Sequence, residues 1–208
     1  MFNNIPPVVK NLIIINILMM VAMSINENFM LEKFALFYPA SPFFKPYQYI
    51  TYMFMHGGFA HIFFNMYALF LFGSVLERVW GGKKFFIFYM ITGLGAAAFF
   101  TFVNWLLTTG YTPAEYIDLL RTPTVGASGA VFGLLLGYGM LFPNSVLQLI
   151  FPPIAIKAKW LVIIYGGLEL VLGFGFPGSK IAHFAHLGGM LFGFILIKYW
   201  NKKGRMYF

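Results

Sequence analysis

Six long apolar runs, separated by short polar or proline-containing segments, constrain this chain more than any other feature. The runs lie near 10–25, 58–76, 84–106, 125–142, 158–176 and 182–200. Among all 208 residues, 60% are hydrophobic and 10% are charged, whereas a soluble domain carries roughly 25% charged residues. Runs of this length and composition are typical of transmembrane helices. The sequence therefore predicts an all-α membrane protein with six transmembrane helices, in which 1–208 form a single domain.

The lysine and arginine residues are distributed unevenly between the two ends of these helices. Ten of the fourteen lie on the side of the N-terminus: Lys10, Arg78, Lys83, Lys84, Lys157, Lys159, Lys198, Lys202, Lys203 and Arg205. The opposite side carries four basic and four acidic residues: Lys33, Lys45, Arg121, Lys180, Glu27, Glu32, Glu115 and Asp118. Because positively charged loops stay in the cytoplasm, we expect both termini to be cytoplasmic. The net charge of +8 then reflects membrane topology and does not indicate nucleic-acid binding.

Two further features narrow the class of protein. The chain has no cysteine, which excludes disulfides, a thiol nucleophile and cysteine-based metal sites. The first apolar run follows Lys10 but is not followed by a small-residue cleavage site, so we interpret it as a retained span. The first loop, about 26–57, is rich in aromatic residues and prolines, and we expect part of it to lie at the membrane interface.

Glycine spacing predicts which helices pack together. Gly129, Gly133 and Gly137 recur every four residues in span four, and Gly189 and Gly193 do so in span six. Small residues at this spacing let two membrane helices approach closely. We therefore expect spans four and six to pack against each other, although such spacing is also common as a general packing motif.

Four polar residues occur where apolar runs begin. His61 and Asn65 open span two, Ser128 opens span four and His186 opens span six. With the N-terminus inside, these three spans all run from outside to inside, so the four residues are at similar depth, on the order of 5–10 Å below the outer surface. Polar residues inside a membrane are costly and usually functional. Each one alone has a structural explanation, but their coincidence at one depth favours a common site.

These residue types match the chemistry of a serine hydrolase. A serine hydroxyl needs a base to remove its proton, and His186 is the candidate base for Ser128. No aspartate or glutamate is expected near either residue, so a dyad is predicted rather than a triad. His61, Asn65 and the backbone N–H of Ser128 are candidate donors to a developing oxyanion.

With these motifs the sequence resembles the rhomboid intramembrane serine proteases of the basal six-span bacterial type. The motifs are His61-Ile62-Phe63-Phe64-Asn65 in span two, Gly126-Ala127-Ser128-Gly129 in span four, and Ala185-His186-Leu187-Gly188-Gly189 with Gly193 in span six. The resemblance implies a rhomboid-like bundle, Ser128 as nucleophile, His186 as base, and His61, Asn65 and Ser128 as oxyanion stabilisers. Structural support for the site is expected from His56, Phe132, Gly126, Gly129, Gly189 and Gly193.

The sequence departs from the family pattern at two places. Tyr47-Gln48 stands in the first loop where the family often has Trp-Arg or Trp-Gln. Phe132 stands one turn after Ser128, where a tyrosine is common, so it can stack on His186 but cannot form a hydrogen bond.

The resemblance implies hydrolysis of peptide bonds in or near the transmembrane helices of single-span membrane proteins, within the lipid bilayer and without a cofactor or metal. The expected location is the bacterial plasma (inner) membrane, with the active site open to the outer face.

The main alternative is a catalytically inactive rhomboid-like protein that binds membrane clients. A channel is disfavoured by the apolar inner halves of the spans. A zinc site is disfavoured by the missing His-Glu-x-x-His motif, although the chain offers His56, His61, His183 and His186. We expect His183 to line the mouth of the site, and Glu169 has no predicted partner.

Overall fold

The computed structural model describes residues 5–149, 153–175, 180–202 and 204, and the chain is mostly helical. The helices are α1 (Pro7–Ile25), α2 (Glu27–Phe34), α3 (Gln48–Thr51), α4 (Phe59–Ala68), α5 (Ser74–Trp80), α6 (Gly82–Leu107), α7 (Pro113–Arg121), α8 (Ser128–Leu141), α9 (Ala158–Gly175) and α10 (Lys180–Lys202). Short 3₁₀ turns cover Tyr52–Phe54 and Thr108–Gly110. The predicted end of span five at 176, Pro152 in the break after span four, and Lys203 and Arg205 lie outside the described residues.

Three helical segments in the described part of the chain are long and apolar enough to cross a membrane. They are Pro7–Ile25, Phe59–Trp80 and Gly82–Gly110, and they match the first three predicted spans. The second is longer than predicted, because a π-helical turn, Leu69–Gly73, joins α4 to α5. It ends at Gly81, whose φ of +78° suits glycine.

Span four is shorter than the sequence suggested. Helix α8 begins at Ser128 instead of 125 and contains 14 residues, so it is a shorter apolar helix. The reason is local, since Gly126 adopts a φ of +134° that a helix does not allow.

The prediction of an all-α protein is wrong in one place. Two short strands, β1 (Val146–Gln148) and β2 (Ala155–Lys157), form an antiparallel ribbon after α8. Pro143 and Pro153 flank β1 and its turn, and because proline interrupts helices, this segment leaves the helical bundle.

The first loop is organised around the side chain of Gln48, which is fully buried. Its Nε2 donates to the carbonyl oxygen of Phe43 at 3.0 Å, with longer contacts to those of Glu32 and Lys33. Its Oε1 accepts from the backbone N–H of Lys45 at 3.1 Å. One amide thus replaces the regular backbone hydrogen bonds that this irregular loop cannot make.

Helices α6, α8 and α10 form a closely packed centre. A Cβ atom at Gly189 of α10 would lie 2.7 Å from the carbonyl carbon of Gly129 and still closer to its oxygen. The predicted close contact between spans four and six is therefore present at these two glycines. Gly133 faces Thr92 of α6, and a Cβ atom at Gly193 would contact Phe88 and Thr92 of that helix as well as the carbonyl oxygen of Gly133, at 3.5 Å. The glycine faces serve a three-helix contact that places the start of α8 beside the second and third turns of α10.

A buried carboxylate anchors α1 at the far end of the molecule from the start of α8. Glu77 accepts hydrogen bonds from the backbone N–H groups of Val8 and Val9 at 3.0 and 2.8 Å. A negative charge at a helix N-terminus satisfies free N–H groups and complements the helix dipole. These two hydrogen bonds explain why a carboxylate is buried at position 77.

Candidate active site

Ser128 and His186 form a hydrogen-bonded pair. Ser128 is the first residue of α8, and its Oγ lies 2.8 Å from Nε2 of His186 on α10. The ring of Phe132, one turn further along α8, stacks on the His186 ring at a centroid distance of 4.2 Å and an angle of 6°. The nearby Gly129–Gly189 contact brings the two helices close enough for this geometry. A hydroxyl that touches an imidazole nitrogen in this way can pass its proton to that nitrogen.

His61 lies beside the same pair. Its Nδ1 accepts the backbone N–H of Gly57 at 3.3 Å, which leaves Nε2 as the donor nitrogen of a neutral ring. A Cβ atom added at Gly126 would lie 2.9 Å from Nε2 of His61 and 3.4 Å from Oγ of Ser128. Because glycine has no Cβ, there is a small space about 3 Å from both a nucleophile and a donor, which is the spacing an acyl-transfer site requires.

Asn65 lies one helical turn after His61 and is buried. Its Nδ2 donates to the backbone carbonyl of His61 at 2.8 Å. An amide nitrogen carries two hydrogens, so one N–H of Asn65 remains for another acceptor.

His56 supports the ring of His61. It is fully buried, and the two rings meet edge to face at a centroid distance of 5.0 Å. Burial, followed by the proximity of His61, lowers the pKa of His56 to about 4. His56 is therefore neutral near pH 7 and acts as an uncharged packing partner.

The expectation that no carboxylate lies near Ser128 or His186 is wrong. Glu169 of α9 is buried, with its Oε1 3.1 Å from Nδ1 of His186 and its Oε2 2.6 Å from Nδ1 of His183. Glu169 lies six residues before the end of α9, and His186 lies six residues after the start of α10. Each is therefore about 9 Å from the same connection, and the proximity of both residues to one short connection is the sequence signal that pointed to this contact. His183 lies beside Glu169, so it has a partner within the site.

The possible metal ligands differ from the four histidines considered above. In the described part of the chain, the group whose ligand atoms lie within 4.8 Å of one another is Glu169, His183 and His186. His56 and His61 do not belong to it. Because Nε2 of His186 contacts Ser128, these three side chains are part of the serine–histidine site described above.

These elements together define a class of protein. It is a helical membrane protein in which a serine, a histidine and several hydrogen-bond donors meet at one end of the apolar helices. The chain belongs to the rhomboid family, because the family model for the Rhomboid domain matches 43–202.

Relatives at about 30% identity include proteins of a bacterium and of a plant. Rhomboid protease GluP of Bacillus subtilis is 32% identical over 146 residues, which are 70% of this chain and 24% of that protein. Rhomboid-like protein 11, chloroplastic, of Arabidopsis thaliana is 30% identical over 172 residues, 73% of this chain and 51% of that protein. Putative rhomboid protease YdcA of Bacillus subtilis is 31% identical over 147 residues, 71% of this chain and 63% of that protein. The matched region thus spans a quarter to just under two thirds of these relatives.

Proposed function

We propose that this protein is a serine endopeptidase that hydrolyses peptide bonds in or near the transmembrane helices of single-span membrane proteins. The observation that carries the proposal is the 2.8 Å contact between Ser128 Oγ and His186 Nε2, next to the small space left by Gly126. Membership of the rhomboid family, whose relatives above include proteins named as proteases, supports the same activity.

In the proposed reaction, Ser128 Oγ attacks the scissile carbonyl carbon while His186 Nε2 takes its proton. The carbonyl oxygen becomes an oxyanion, which receives hydrogen bonds from His61 Nε2, Asn65 Nδ2 and the backbone N–H of Ser128. Collapse of this intermediate breaks the C–N bond, and His186 returns the proton to the leaving amine. Water then hydrolyses the acyl-enzyme by the same steps.

We further propose that six helices span the membrane, with both termini in the cytoplasm and the site open to the outer face. The three apolar segments Pro7–Ile25, Phe59–Trp80 and Gly82–Gly110 support a multi-span integral membrane protein. The uneven distribution of basic residues supports the orientation. The location we propose is a bacterial plasma membrane; two of the relatives come from a bacterium and one is named as chloroplastic.

The test is cleavage of a single-span reporter whose transmembrane helix is weakened by glycine and serine. We expect wild-type protein to cleave it, and Ser128→Ala and His186→Ala each to lower the rate by at least about 1,000-fold. Ser24→Ala is the matched control, because Ser24 is exposed on α1 and bonds a carbonyl of its own helix. It should cleave at the wild-type rate.

A fluorophosphonate probe, which labels activated serines, separates the remaining outcomes. Labelling that requires both Ser128 and His186 supports the proposed nucleophile and base even if the chosen reporter is not a substrate. Absence of both cleavage and labelling in the wild type would favour a rhomboid-like protein that binds membrane clients. Cleavage that survives both substitutions would exclude the proposed mechanism.

A further inference from the structure

Glu169 is a buried carboxylate held between two histidines. Its side chain is 11% exposed, and its two oxygens contact Nδ1 of His183 at 2.6 Å and Nδ1 of His186 at 3.1 Å. A buried carboxylate is costly unless it is paired, and within a membrane helix the cost is larger still. The two histidines remove part of this cost, so the three side chains form one unit.

The contact with His186 occurs at the nitrogen that does not touch Ser128. Nδ1 of His186 is buried and has no hydrogen bond of regular geometry within the described part of the chain, although Glu169 lies within ion-pair distance. A carboxylate beside Nδ1 favours the tautomer in which Nδ1 carries the proton. Nε2 then presents its lone pair to the hydroxyl of Ser128, as a general base must.

The same contact assists the next state of the reaction. When His186 accepts the proton of Ser128 it becomes an imidazolium cation, and the adjacent, mostly buried carboxylate stabilises that cation. His183 contacts the other oxygen of Glu169 and so fixes the direction of the carboxylate.

We propose, on the basis of the serine protease function above, that Glu169 is a positioning residue that completes a Ser128–His186–Glu169 triad. It acts through His186 and does not touch the substrate. His183 orients the carboxylate, so the unit links α8, α9 and α10 at the reacting end of the bundle.

Two pairs of nearly isosteric variants separate the charge of this residue from its packing. The pairs are wild type against Glu169→Gln, and Glu169→Asp against Glu169→Asn. We expect Glu169→Gln to lower kcat by about 100-fold or more, with KM within about twofold and an unchanged melting temperature. Glu169→Asp should be at least tenfold faster than Glu169→Asn, because the shorter carboxylate still carries the charge. This second pair decides the question if Glu169→Gln does not fold.

Glu77→Gln is the matched control for loss of a buried carboxylate. Glu77 binds the N-terminus of α1 and not the site, so this change should lower the melting temperature and leave kcat unchanged. All reactions contain EDTA, so that a metal ion held by Glu169, His183 and His186 cannot account for the result.

Three outcomes separate this inference from the function on which it rests. Activity that requires Ser128 and His186 but is equal within each Glu169 pair would overturn the triad and leave the protease. A loss that appears as a raised KM with unchanged kcat would also overturn it, because the residue would then shape substrate binding. Cleavage that survives Ser128→Ala would overturn the proposed function and the triad together.

Discussion

Replacing Gly189 with alanine should separate α8 from α10 and disable the site without unfolding the protein. A Cβ at this position would lie 2.7 Å from the carbonyl carbon of Gly129, whereas unstrained contacts between such atoms need about 3.5–4.0 Å. Both contacting groups belong to helix backbones, so no side chain can rotate away. Because the carbonyl oxygen is closer still, the helices must move apart by at least about 1 Å.

This movement acts directly on the reacting atoms. Gly129 follows Ser128, and Gly189 lies one turn after His186, so a separation of about 1 Å would stretch their 2.8 Å contact beyond hydrogen-bond distance. A misplacement of this size costs about 100-fold in rate. The overpacking itself costs about 1–3 kcal/mol of stability, which a folded protein can usually tolerate.

The assay is the rate of fluorophosphonate labelling at Ser128, measured with the melting temperature of the same sample in detergent. The matched control is Gly167→Ala, because a Cβ at Gly167 of α9 would meet no atom within 4 Å. There, the higher helix propensity of alanine should leave stability equal or raised by up to about 1 kcal/mol. Labelling of Gly189→Ala at the wild-type rate would contradict this prediction, because the glycine contact would then not set the serine–histidine distance.

Two further predictions concern the surroundings of the site. Phe132→Ala should lower the labelling rate by about two- to tenfold, since an aromatic stacking pair contributes about 0.5–1.5 kcal/mol. Phe132→Tyr should keep the wild-type rate, and equal rates for the two variants would show that stacking does not position His186. Gln48→Ala should destabilise the protein by about 3 kcal/mol, because several buried backbone groups lose their partner. The control Gln148→Ala changes an exposed residue and should leave the melting temperature unchanged, and a similar melting temperature for Gln48→Ala would contradict the proposed role of its amide in the loop.

Much of the site could be predicted from sequence because it rests on local patterns. His61 and Asn65 lie four residues apart on α4, and Ser128 and His186 lie near the starts of α8 and α10, as the apolar runs indicated. The contact of Glu169 with His186 could not be found by periodicity, because it depends on how α9 lies against α10 in three dimensions. The position of Glu169 relative to the end of its helix would have suggested it.

The loops between the spans were less predictable for a different reason. Their hydrogen bonds come from single side chains and not from a repeated pattern. Thr112 and Glu115 form a capping box that starts α7 in a stretch predicted only as polar loop. In the first loop, the side-chain amide of Gln48 likewise provides hydrogen-bond partners for backbone groups that have no regular partner. Such hydrogen bonds depend on which segments meet in the folded protein, and amino-acid composition does not indicate this.

The shortness of α8 gives a physical reason for the depth of the site. Its 14 residues span about 21 Å, whereas the hydrocarbon layer is about 30 Å thick. At its far end, the carbonyl oxygen of Pro143 accepts the backbone N–H of Lys159 at 3.1 Å, which fixes that end beside the basic start of α9. The proposed topology puts this basic start at the cytoplasmic membrane surface. In the proposed topology α8 is therefore about 9 Å shorter than the hydrocarbon layer, and the uncovered part of the layer lies at the Ser128 end of the helix. In that topology the nucleophile lies below the outer surface, and the non-helical backbone before Ser128 needs shielding from lipid.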